Sequence, residues 1–156
     1  MAEPTHHGTV VALNGAGVFL RGKPGSGKSS LALRLIDQPG CGITGEALAG
    51  ALVADDQCHL VARDGQLIAS PPQALAGLLE IRGLGIVRVA HLASCPVLMV
   101  ADLAGEGERL PGFAAERTVL AGLDLPLLHV DATAADSPAR IRAALQVVRN
   151  PALLRA

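Results

Sequence analysis

Residues 22–29 read Gly22-Lys23-Pro24-Gly25-Ser26-Gly27-Lys28-Ser29, a match to the pattern G-x-x-x-x-G-K-[ST]. The flanks decide what the match means. Ala16 to Leu20 (AGVFL) reads as a strand, and Ser30 to Ile36 (SLALRLI) suits a helix that Pro39-Gly40 ends. A glycine-rich loop between a strand and a helix is a phosphate cradle rather than an ordinary turn. Its glycines let successive backbone N–H groups converge on phosphate oxygens, and the helix N-terminus adds a favourable dipole. Lys28 would neutralise the β and γ phosphates, and the Ser29 hydroxyl would ligate Mg²⁺. Residues 22–30, closing on Ser30, form the expected nucleotide-binding set. The chain has 11 arginines and two lysines, and both lysines, Lys23 and Lys28, lie in this loop.

Outward from the loop, Gly8 to Leu13 (GTVVAL) reads as a strand that returns through Asn14-Gly15, a strong hairpin signal. Ala51 to Ala54 is a short apolar strand ending in Asp55-Asp56, and a second hairpin is expected at Asp64-Gly65. Pro71-Pro72 breaks the chain, and Glu80 to Ile86 reads as a charged, glycine-punctuated turn. Pro96 to Ala101 is an apolar strand followed by Asp102. Gly105 to Gly112 reads as a surface loop, and Pro126 to Val130 as a last strand. Ser137-Pro138 is expected to open a helix, with Ser137 as its cap and Ile141, Leu145 and Val148 as its apolar stripe.

These elements describe a single α/β domain over residues 1–156. Half of the residues are hydrophobic and 17% are charged, which excludes intrinsic disorder. A net charge of −1 argues against electrostatic nucleic-acid binding. Phe19 and Phe113 are the aromatics present, too few for a base-stacking platform. Apolar runs reach five or six residues, far short of a membrane span. No signal peptide is visible, and the three cysteines, Cys41, Cys58 and Cys95, leave an odd thiol. The expectation is a cytoplasmic protein.

A phosphoryl-transfer site also needs a carboxylate at a strand end. Asp55-Asp56 and Asp102 both qualify. The adjacent pair is the more informative, because two neighbouring carboxylates are not both cheaply ionised in a closed site and one can then act as a base; the alternative is that it merely begins a turn. Asp102 reads more simply as a loop cap. His6-His7 is open to three readings: a tag remnant, a disordered end or a catalytic pair. His59, His91 and His129 lack metal-ligand spacing. Arg109, in a polar loop, is either solvated or a mobile arginine that stabilises a transferring phosphoryl group.

An ordered set of segments resembles the catalytic domain of the HPr kinase/phosphorylase family. His7-Gly8 opens a strand fifteen residues before the phosphate loop. Val53-Ala54-Asp55-Asp56 resembles the family's V-A-D-D segment, and Leu79 to Ile86 (LEIRGLGI) resembles its signature. The resemblance implies a mixed sheet like the nucleotide domain of phosphoenolpyruvate carboxykinases. It implies transfer from MgATP to a serine of HPr, the small phosphocarrier of the bacterial phosphotransferase system. His7 would be the active-site histidine, Lys28 the phosphate-binding lysine, and Ser29 and Glu80 the Mg²⁺ ligands. Asp56 would take the serine proton with Asp55 in support, and Arg109 resembles the arginine of the family's D-R-L segment. The family's G-R-N segment, associated with dephosphorylation, has no counterpart around residues 131–138, so the kinase direction is expected first. A short form without the family's N-terminal domain is expected, and the family's hexamer implies a homo-oligomer. Two rival readings stand beside this one: a nucleotide-sensing module without transfer, and a small-metabolite kinase.

Overall fold

All of Thr9–Leu13, and Ala16–Arg21 up to its last residue, are buried, so these strands lie inside a sheet covered on both faces. The structure is a computed structural model and describes residues 5–103, 113 and 116–155. Its strands are β1 Thr5–His7, β2 Thr9–Leu13, β3 Ala16–Arg21, β4 Gly50–Ala54, β5 Gln57–Arg63 and β6 Gln66–Ser70. They continue as β7 Leu78–Ile81, β8 Gly85–Arg88, β9 Cys95–Asp102, β10 Arg117–Leu120 and β11 Leu123–His129. The helices are α1 Lys28–Asp37 and α2 Ser137–Arg149.

Among the described residues, nine strands form one mixed sheet in the order β1-β5-β6-β9-β3-β2-β4, with β11 also on β9 and β10 on β11. β3 runs parallel along one edge of β9. The other edge is shared by antiparallel β6 near Cys95–Val97 and by parallel β11 near Val100–Asp102. β2 is antiparallel to both β3 and β4, so β4 runs parallel to β3. The carboxyl ends of β3, β4, β9 and β11 therefore meet at one end of the sheet, the end at which parallel α/β sheets place their ligands.

Side chains of neighbouring residues point to opposite faces, and the core splits accordingly. Val11, Leu13, Val18, Leu20, Met99 and Ala101 pack with Leu31 and Leu35 of α1 and with Ile141 and Leu145 of α2. Val10, Ala12, Phe19, Val97 and Val100 face the second cluster, which is built entirely from strand residues. The sheet covers that face with its own strands, an economical answer for a chain so poor in aromatics.

The hairpins expected at Asn14-Gly15 and Asp64-Gly65 both form, with Asn14 and Asp64 at φ 49° and 53°. A third, at Ala121-Gly122 between β10 and β11, was outside the sequence expectation because alanine disguises the first left-handed position, here φ 49°. Four other expectations need correction. Thr5–His7 is no loose end: it pairs antiparallel with Gln57–His59. Helix α1 begins at Lys28, not Ser30, because Gly27 at φ 102° caps it and accepts Leu31 N–H at 2.9 Å. Glu80–Ile86 is not a plain turn but the heart of the β7–β8 ribbon, with Glu80 opposite Ile86. Asp136, not Ser137, precedes α2 as its cap. The Ser137 hydroxyl instead donates to the Asp131 carbonyl, drawing it out of the capping position.

The stripe Ile141, Leu145 and Val148 packs as expected, but α2 also buries Arg142 and Gln146. The Arg142 guanidinium donates to the carbonyls of Leu35 (2.9 Å), Gln38 (2.9 Å) and Leu48 (3.1 Å). It thus satisfies one last-turn carbonyl of α1, at Leu35, and that of the C-cap residue Gln38, and favours that end of the helix dipole. Gln146 donates to Cys41 O and accepts from Ile43 N, both at 2.8 Å, ordering the segment after α1. Arg142→Met should lower the unfolding free energy by on the order of 3 kcal/mol, because buried carbonyls lose their donors. Urea denaturation measures it, and a loss under about 0.5 kcal/mol, the level of an ordinary surface change, would show that these bonds contribute nothing net.

Candidate active site

The phosphate loop joins β3 to α1, and beginning the helix at Lys28 puts both Lys28 and Ser29 in its first turn. Lys28 is 6% exposed, and its ammonium donates to the carbonyls of Gly22 (2.9 Å) and Lys23 (3.1 Å), closing the loop on itself. Desolvation holds its pKa below the ordinary value, while the charges of Asp56 and then Asp55 pull it back up. Two features of the loop fit a phosphate ligand. Ser26 Oγ is, among the described residues, the buried side-chain oxygen with no hydrogen-bond partner, a group that normally finds one. Gly25 stands at φ 82° with open space where a side chain would be. Lys23, Pro24 and Gly25 are exposed on the rim, and Ser30 is exposed on the first helical turn.

Asp55 and Asp56 follow β4 and are put to different work. Asp55 Oδ1 accepts the Ser29 hydroxyl at 2.7 Å and the Thr9 hydroxyl at 3.1 Å, and its Oδ2 accepts Glu80 N–H at 3.1 Å. One carboxylate therefore ties together the phosphate loop, β2 and the β7–β8 ribbon. Asp56 sits at φ 67°, which turns it away from the strand. Its carboxylate, 62% exposed, meets His7 Nδ1 at 3.3 Å. The His7 it meets is held on β1 opposite Gln57. Asp56 is thus the open carboxylate of the pair and Asp55 the engaged one.

Lys28, Ser29, Asp55, Asp56, His7 and the backbone of Glu80 come together at one end of the sheet, and the Glu80 side chain is exposed there. Arg109 lies outside the described residues. Asp102 reaches the same end but forms an ion pair with Arg21 at 2.8 Å, and Arg21 also donates to the Thr118 hydroxyl at 3.2 Å. The second strand-end carboxylate is therefore structural. Sequence reading passed over Thr9, the polar first residue of an otherwise apolar strand; that contrast was the available signal.

A hard cation would find oxygen donors in the Ser29 hydroxyl and in the Asp55 carboxylate beside it. Among the described residues no group of three or more His, Cys, Asp or Glu could hold a metal. The three thiols are free. Burial pushes those of Cys58 and Cys95 up to about 12, so neither serves as a nucleophile near neutrality.

The model of the HPr serine kinase C-terminal domain family matches residues 1–95. The chain belongs to this family. Among its HPr kinase relatives, the HPr kinase/phosphorylase of Limosilactobacillus reuteri is 38% identical over 97 residues, 62% of this chain and 27% of that protein. The HPr kinase/phosphorylase of Clostridium beijerinckii is 40% identical over 90 residues, 58% of this chain and 26% of that protein. The chain thus matches about a quarter of the length of these relatives. In three dimensions it resembles the Hpr(Ser) kinase/phosphatase from Coxiella burnetii, with a TM-score of 0.76 at 24% identity over 97% of this chain and 100% of that one. The mixed-sheet, P-loop architecture expected from the HPr kinase resemblance is the one found. Among the described residues no helix is long and apolar enough to cross a membrane.

Proposed function

We propose that the chain is an ATP-dependent protein serine kinase whose acceptor is an HPr-type phosphocarrier. The observation that carries this reading is the division of labour at Asp55-Asp56. Asp55 is spent on Ser29, Thr9 and Glu80, while Asp56 faces outward with His7 beside it. A sensing module needs the loop but has no use for an open carboxylate beside it.

In the proposed reaction Lys28 and the loop N–H groups hold the phosphates of ATP. Ser29, Asp55 and Glu80 would hold Mg²⁺, which neutralises charge on the transferring group. Asp56 accepts the proton of the acceptor serine as its oxygen forms a bond to the γ-phosphorus. The bond from that phosphorus to the bridging oxygen breaks, and ADP leaves with the electron pair. His7 orients the Asp56 carboxylate. Most of the rate would come from positioning and charge neutralisation. A cytoplasmic location and assembly as a homo-oligomer go with the same reading.

The test is transfer from labelled ATP to a purified HPr-type protein and to its serine-to-alanine variant. Label on the first alone supports the reading; label on neither, with ATP bound, overturns it. Glu80→Gln should raise the Mg²⁺ concentration for half-maximal rate by about tenfold or more, since an amide is a poorer hard-cation ligand. A magnesium titration of initial rates that superimposes on wild type would leave Glu80 to its backbone bond alone.

A further inference from the structure

Thr9 is fully buried, a polar residue among apolar ones on the strand next to β3. Its hydroxyl is used twice. It donates to Asp55 Oδ1 at 3.1 Å and accepts the backbone N–H of Asp56 at 3.1 Å. A hydroxyl has one proton to give and lone pairs to receive, so one side chain reads both aspartates at once. We propose that Thr9 is a positioning residue for phosphoryl transfer, bracing the Asp55 carboxylate and pinning Asp56 in the left-handed conformation that presents its carboxylate to the acceptor.

The backbone around Asp56 explains why such a pin is needed. Aspartate tolerates φ 67° better than most residues but does not favour it over the right-handed or extended regions, so the conformation depends on its partners. The Asp56 carbonyl is bonded to Gly8 N–H at 2.9 Å, on the residue just before Thr9. Gly8 and Thr9 thus grip Asp56 by its carbonyl and its amide. The grip at Thr9 is the one made by a side chain, and so the one a substitution can remove. Asp55 keeps its bonds from Ser29 and Glu80 when Thr9 is changed, so nucleotide docking should survive. The orientation of Asp56 should not.

This proposal rests on the reading of Asp56 as the proton acceptor, and its test separates the two. Thr9→Val keeps the shape and removes the hydroxyl. It should lower kcat for transfer to an HPr-type acceptor by about tenfold to a hundredfold, the cost of small misplacements of a reacting group. The KM for MgATP should stay within about threefold. Thr9→Ser, which returns the hydroxyl, should recover most of the rate. In an Asp56→Asn background Thr9→Val should cost little more, because coupled residues are not additive. A purely structural Thr9 predicts equal losses in both backgrounds and no recovery by serine, and either result overturns the proposal.

A second readout needs no acceptor. Hydrogen exchange at the Asp56 amide, followed by NMR with and without MgATP, should speed up by about tenfold or more in Thr9→Val. Unchanged exchange overturns the proposal even if wild-type transfer is robust. Faster exchange with no transfer by wild type supports the pin and sinks the kinase reading instead. Should Thr9→Val not fold, Thr9→Cys, whose thiol bonds only weakly, serves the same two measurements.

Discussion

Lys28→Ala should abolish transfer and weaken MgATP binding by roughly tenfold to a hundredfold, the worth of hydrogen bonds from a charged donor. Lys28 is buried between the loop and the two aspartates, and it bridges the Gly22 and Lys23 carbonyls. In the proposed reaction the same ammonium would exchange those carbonyls for phosphate oxygens. Removing it takes away a charge-neutralising group and also the closure of the loop. Lys28→Met, which keeps the apolar stem, separates the two contributions. Titration calorimetry with MgATP, run beside the transfer assay, gives both numbers. Wild-type affinity together with wild-type transfer would remove the assignment of residues 22–29 as the phosphate site.

Asp56→Asn should lower transfer by about a hundredfold to ten-thousandfold, the usual loss for a positioned base, while MgATP binding holds. Asparagine tolerates the left-handed conformation better than most residues, so φ 67° need not change. The amide can still meet His7, but it cannot accept the serine proton. Were the variant to transfer at close to the wild-type rate, the base would have to be another group. Asp55 is a poor substitute, already accepting from Ser29, Thr9 and Glu80. His7, 3.3 Å away, would then be the group to change next.

The parts of this site that sequence disclosed are those encoded within a few consecutive residues. The glycine spacing of residues 22–29 and the strand ending in Asp55-Asp56 are local patterns, and the structure has both at the same end of the sheet. The resemblance gave Asp56 the proton and Asp55 the supporting part, but the contacts that set the two apart were not legible, because they depend on a left-handed residue and on Thr9, forty-six positions from Asp55. The Glu80 ribbon hid for a related reason. Gly83 and Gly85 look like a loop, yet Gly83 lies in the turn and Gly85 opens the strand by which Gly85–Arg88 pairs with Leu78–Ile81. Arg142 and Gln146 were invisible to periodicity, since a stripe of apolar residues says nothing of polar neighbours whose partners lie a hundred residues away.

β9 gives the family match a limit of a different kind. The matched segment stops at residue 95, where β9 begins, yet β9 covers the open edge of β3, the strand that feeds the phosphate loop. A fragment ending at residue 95 would leave β3 as a bare, apolar edge, a template for aggregation, and it would strip α1 of the Arg142 donors at its far end. The stretch over which ancestry can be recognised and the stretch that must fold cooperatively therefore have different borders. β9 and α2 lie almost wholly beyond the matched residues, yet they brace the strand and the helix between which the phosphate loop is held.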